Sequence, residues 1–175
     1  MSEIPDAKYL SVVIEKPQSG KTFICTKHIQ FNKNAIHFIV TMNTIISNKQ
    51  FCNRVINTEG NRVCLFNSSS ESIELKDENN NILNIYKASD KDDVIDSIIK
   101  NKCNIIIMCA HYTRLRKKNK NSIYKILERL SDSCGFHKLC KKIHLHIDEA
   151  HEYVPNNREE VIEINNMDII NKIIF

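Results

Sequence analysis

The strongest constraint on what this chain can fold into is an alternation. Short apolar runs rich in β-branched residues recur at 9–14, 35–41, 62–66, 104–109, 143–147 and 169–175, with a further short one at 82–86. Their length and continuous apolar character are what strands buried on both faces of a sheet look like. Between them the apolar residues fall at helical spacing, predicting helices over 22–31, from Asn43 or Thr44 to about 56, 90–99, 122–130 and 158–168. In the first helix Phe23, Ile24, Lys27 and Phe31 set out an apolar stripe, and Gly60 closes the second at its C-terminus. Strands that alternate with helices make βαβ units, a mostly parallel sheet with helices on both faces, and right-handed crossovers. The expected class is therefore α/β, and 175 residues suit one domain. Residues 68–81, polar and rich in Ser and Asn, read as a surface excursion.

Composition removes several functional classes. The formal charge of +4 is mild and dispersed, apart from a basic run at 114–120, so it permits nucleic-acid contact without requiring it. Seven cysteines, odd in number and without a C-x-x-C pair, point to reduced thiols rather than a secreted disulfide framework. Cys134, Cys140 and His144 lack the paired short spacings of a zinc site, so the cysteines are expected to be small buried apolar side chains. His144 and His146 alternate along one strand and both face away from the side of Leu145. No signal peptide and no apolar span of membrane length is evident, so the expected location is intracellular, cytoplasmic or nuclear, with no membrane partner.

Two segments carry chemistry. Glu15-Lys16-Pro17-Gln18-Ser19-Gly20-Lys21-Thr22 follows the first strand and opens the first helix. Backbone N–H groups around Ser19, Gly20, Lys21 and Thr22, aided by the helix N-terminus, would cradle phosphates. Lys21 would neutralise the β- and γ-phosphates, and the Thr22 hydroxyl would ligate magnesium. Asp148-Glu149 ends the strand at 143–147, where carboxylates at a sheet's carboxyl edge face a bound Mg-nucleotide. Asp148 would hold the metal, and Glu149 would orient and deprotonate the attacking water.

With Ala150 and His151 added, these residues resemble the first RecA-like domain of superfamily-2 helicases of the D-E-A-H-box kind. The composition, heavy in Ile, Asn and Lys, is similar to that of helicase-like proteins of large A+T-rich DNA viruses. The resemblance implies ATP and Mg²⁺ as ligands and a RecA-like P-loop NTPase fold. It implies DNA or RNA backbone contacts from Asn43 and Thr44, after the second strand, and from Arg114, in the loop after the strand at 104–109. It also implies that His151 couples nucleotide state to nucleic-acid binding. Glu15 and Gln18 depart from the family's glycine-rich loop, and no adenine-reading glutamine motif precedes it.

In the family a Ser/Thr-Ala-Thr loop and a second RecA-like domain follow the strand matching 169–175. The expectation is thus one N-terminal ATP-binding domain over 1–175, weakly active or inactive alone, with a second polypeptide as the partner supplying the missing half. An apolar surface is expected where that half would dock. The alternatives are a non-catalytic nucleotide-binding or regulatory module of the same fold, and a P-loop NTPase that does not act on nucleic acid.

Overall fold

The computed structural model describes residues 10–11, 21–42, 55, 60–66, 79–80, 85–110, 115–148 and 150–174. Among the described residues the strands are β1 (Leu10–Ser11), β2 (Ile36–Met42), β3 (Val63–Phe66), β4 (Tyr86–Ala88), β5 (Ile105–Ala110), β6 (Ile143–Ile147) and β7 (Ile170–Ile174). The helices whose bounds lie among the described residues are α1 (Lys21–Phe31), α2 (Lys91–Ile99), α3 (Ile123–Ser131), α4 (Cys134–His137), α5 (Ala150–Tyr153) and α6 (Arg158–Asn165). The strands form one sheet in the order β1-β7-β6-β2-β5-β3-β4, and every ladder in it is parallel.

The connections explain why helices lie on both faces. From β1 to β2, β3 and β4 the chain steps one way along the sheet; from β4 to β5, β6 and β7 it steps back. Crossovers of one hand put outward steps over one face and return steps over the other. Accordingly, Ile29 of α1 and Val55 pack with Ile39, Leu65, Ile105 and Ile107 on one face. Return-step residues Val94, Ile98, Leu127, Phe136 and Ile164 pack with Phe38, Phe66, Ile106, Met108 and Leu145 on the other. Alternation along β2 thus sends Phe38 and Val40 to the larger cluster and Ile39 to the smaller one.

Local chemistry sets the helix starts. The side chain of Asp90 accepts from the Asp93 N–H at 2.9 Å, and Asp92 and Asp93 sit in the first turn of α2. Ser122 caps α3 by accepting from the Lys125 N–H at 3.1 Å, and Ser133 caps α4 through the Phe136 N–H at 3.2 Å. Gly60, at φ +85°, takes the left-handed conformation that follows a helix end.

Several expectations are corrected. Phe23 and Phe31, expected on the apolar stripe of α1, are 47% and 84% exposed, while Ile24, His28 and Ile29 are buried. The strand expected at 82–86 is β4, three residues at Tyr86–Ala88, and residues 81–84 lie outside the described set. Cys134 and Cys140 are exposed, whereas Cys64 and Cys103 are buried as anticipated. β7 does not present an open apolar surface: it lies between β1 and β6, with Ile173 fully buried. The helix anticipated up to about 56 lies outside the described residues except for Val55. Among the described residues no helix is long and apolar enough to cross a membrane.

Candidate functional site

In a parallel α/β sheet the place to look is the carboxyl edge of the strands, where neighbouring strands send their chains to opposite faces. β6 and β2 are such neighbours. After β2 the chain continues over the face of α1, and after β6 it continues over the face of α6. Asp148 follows β6 directly, its N–H adding a last rung to the ladder with β2 by donating to the Val40 carbonyl at 2.9 Å. Its side chain is half-buried.

The direction of α1 fixes which of its ends meets this edge. Cys25 Sγ lies 3.1 Å from His146 Nδ1, near the end of β6, and His28 Nε2 lies 2.7 Å from His144 Nδ1, nearer its start. One turn further on, the Asn32 carbonyl accepts from His37 Nε2 at 3.0 Å, at the start of β2. The helix therefore runs from the carboxyl edge to the amino edge. Lys21 lies one turn before Cys25, about 5.4 Å further toward the carboxyl edge. The first turn of α1, which Lys21 and Thr22 open, and Asp148 thus share one rim of the sheet. Burial raises the Cys25 thiol pKa, and the negative charge of Asp148 raises it further, an electrical sign of the same proximity.

Of the other anticipated site residues, His151 is exposed on α5, immediately beyond the acidic pair. Ser19, Gly20, Asn43, Thr44, Arg114 and Glu149 lie outside the described residues. The basic run at 114–120 is less open than its sequence suggests. Leu115 is fully buried, and Lys117 pairs with Glu163 of α6, which also accepts from the Tyr124 hydroxyl at 2.8 Å. The Lys117 ammonium and then the Tyr124 hydroxyl hold the Glu163 carboxyl below its usual range. Lys118 and Lys120 remain exposed.

Beneath α1 lies a layer of imidazoles, only half of it announced by the sequence. His28, His37, His144 and His146 are all buried, with ring centroids 4.9 to 6.0 Å apart in the five pairs that stack or abut. Tautomers follow from one end of the network, because the Asn32 carbonyl can only accept. His37 therefore carries its proton on Nε2, and its Nδ1 accepts from His146 Nε2 at 3.2 Å. His146 Nδ1 in turn accepts from the Cys25 thiol. The Asn171 amide donates to His144 Nε2 at 3.1 Å, leaving His144 Nδ1–H to donate to His28.

Neutral rings are what this setting favours. Burial lowers the pKa of His37 to about 4. Burial, with His37, His28 and Lys172 nearby, lowers that of His144 to about 3. His146 is pushed well down for the same reasons. The signal the sequence did carry was the His144/His146 alternation; His28 and His37 join it only through the packing of α1 on β2. Among the described residues no three His, Cys, Asp or Glu side chains are set to share a metal ion.

No family model matches the chain, and no curated protein or solved structure matches it either.

Proposed function

We propose that this chain is a RecA-like P-loop NTPase domain of the D-E-A-H-box helicase kind, which binds ATP at the carboxyl edge and couples its binding and hydrolysis to DNA or RNA remodelling. The observation that carries the reading is the shared rim: the N-terminal turn of α1, beginning at Lys21, lies on the edge where Asp148 bridges β6 to β2. A helix N-terminus with a lysine favours phosphate there, and a carboxylate beside it favours the phosphate's counter-cation.

In this scheme Ser19, Gly20 and Lys21 hold the β- and γ-phosphates through backbone N–H groups and the Lys21 ammonium. Thr22 and Asp148, oxygen-bearing residues on the two elements that meet at this rim, would hold Mg²⁺, which when bound would neutralise charge on the phosphates. Glu149 takes a proton from the attacking water, and His151 relays nucleotide state toward the nucleic acid. Asn43, Thr44 and Arg114 contact its backbone, with Lys118 and Lys120 adding salt-dependent attraction. Full turnover in this scheme draws on cations from a second such domain, groups worth about 10³- to 10⁵-fold in comparable phosphoryl-transfer sites.

The test is ATP binding followed by hydrolysis. Lys21→Ala is expected to weaken Mg-ATP binding by about 2–5 kcal/mol, the range for removing one partner of a desolvated charge pair. Unchanged binding would refute the site. Glu149→Gln is expected to leave binding in place and reduce any hydrolysis by about 10²- to 10⁴-fold. A second reading, a nucleotide-binding module without turnover, is favoured by Glu15 and Gln18 in the loop. Binding without measurable hydrolysis, even with nucleic acid and a partner domain present, would select it. Hydrolysis indifferent to nucleic acid would select an NTPase of another kind.

A further inference from the structure

At the opposite, amino edge of the sheet, the starts of β3 and β4 and the turn before β5 enclose a cavity of about 680 Å³. Arg62, Lys87 and Lys102 line it, together with Asn61, Val63, Ile85 and Tyr86, and among the described residues no acidic side chain does. Among the described residues none of these three cations has a carboxylate at ion-pair distance. Lys91, Lys100, Lys117, Lys125 and Arg129 all do. Asp93 stands behind the Tyr86 wall, accepting from the Tyr86 hydroxyl at 2.5 Å and the Ser89 N–H at 2.9 Å, and the Lys102 charge helps to hold its carboxyl below the usual range without an ion pair.

The rim is also held in place before any ligand arrives. The Arg62 guanidinium donates to Asn101 Oδ1 at 3.0 Å, and the Arg62 N–H donates to Asn104 Oδ1 at 2.7 Å. Asn101 sits at φ +54° and accepts from Lys141 at 3.2 Å as well, which draws a fourth cation toward the same corner. The neighbouring Asn61 is tied to the Val55 carbonyl at 2.8 Å. The Lys102 ammonium stands 5.8 Å from the centroid of the Tyr86 ring.

We propose that this cleft is a second ligand site, separate from the carboxyl edge, for a small phosphate monoester carried on a flat, largely apolar ring. A planar guanidinium fork and two ammonium groups suit a compact dianion. A space of this volume is far larger than a lone phosphate and lies in the usual range for small organic ligands, roughly 300–1,000 Å³. The half-buried Tyr86 ring gives the organic part an aromatic surface, with Ile85 next to it in the chain.

The probe is phenyl phosphate, titrated against the full chain with backbone amide NMR shifts as the readout, beside inorganic phosphate. Saturable shifts are expected at Arg62, Val63, Tyr86, Lys87 and Lys102, with phenyl phosphate the tighter of the two. The double variant Arg62→Gln, Lys102→Gln, checked for an unchanged melting temperature, should bind about tenfold or more weakly. Lys21→Ala should bind as the parent does, which keeps this result independent of the ATP reading. Shifts confined to α1 and the end of β6, equal binding by the double variant, or no saturation into the millimolar range would each overturn the site. Equal affinity for both probes would overturn the organic-ring part and leave an anion cleft.

Discussion

The two faces of the sheet are built on different physics. Under α2, α3 and α6 the strands present Phe38, Val40, Phe66, Ile106, Met108 and Leu145, a continuous apolar layer. Under α1 the smaller apolar cluster gives way to imidazoles, with Cys25 bonded to His146 and His28 to His144. The first face is held by area removed from water, which varies little with pH. The second is held by hydrogen bonds among rings that must stay neutral. The helix that begins at Lys21 is thus fastened by a pH-sensitive layer, and the opposite face by an insensitive one.

Acid is the largest way to break this contrast. His37 and His144 have folded pKa values of about 4 and about 3, against about 6.5 unfolded. Above about pH 6.5 both states leave these rings neutral and the fold keeps its full stability. As pH falls below that, the unfolded chain takes up protons the folded chain refuses, so stability drops by about 1.4 kcal/mol per pH unit for each ring. Urea unfolding should show a loss on the order of 5 kcal/mol between pH 7 and pH 4 from these two rings. If the double variant His37→Asn, His144→Asn lost stability as steeply, the layer would not be the cause.

Truncation sharpens the other side. Leu127→Ala removes a fully buried side chain from the apolar face and should cost about 2–5 kcal/mol at any pH between 5 and 8. A strongly pH-dependent cost would mean that the two faces are not independent. Ser122→Ala, deleting the cap of α3, should cost about 1 kcal/mol by the same measurement. Phe31→Ser on the outward side of α1 should change stability by less than about 0.5 kcal/mol. A larger loss there would show that the helix has another packing partner.

These numbers also say what could be read in the sequence. A continuous β-branched run such as 104–109 marks a strand because a strand covered on both sides leaves no polar alternation, and alternation with helices makes the sheet mostly parallel; that every ladder is parallel came from the structure. The helix starts at Asp90 and Ser122 were legible from local chemistry, while their capping bonds were not. The stripe on α1 was misread because phenyl rings are expected to face a core, yet the floor beneath this helix is polar. His28 and Cys25 fit that floor by hydrogen bonding, and Phe23 and Phe31 do not. No local pattern reports a contact such as His37 with His146, which joins residues 109 positions apart. In the candidate site, the residue types at Lys21 and Asp148 were legible, but the rim they share depends on the direction of α1 across β6.

The placement of β7 has a consequence for how the molecule is made. Among the described residues β1 pairs with β7 alone, Leu10 lying opposite Ile173. During synthesis β1 has no such edge to join until β7, more than a hundred positions later in the chain, has emerged. Non-local closure of this kind is slow. β1 is therefore fixed in the sheet late, after the imidazole-lined half of the domain already exists, and a nascent chain stalled before residue 170 would carry β1 without its partner strand.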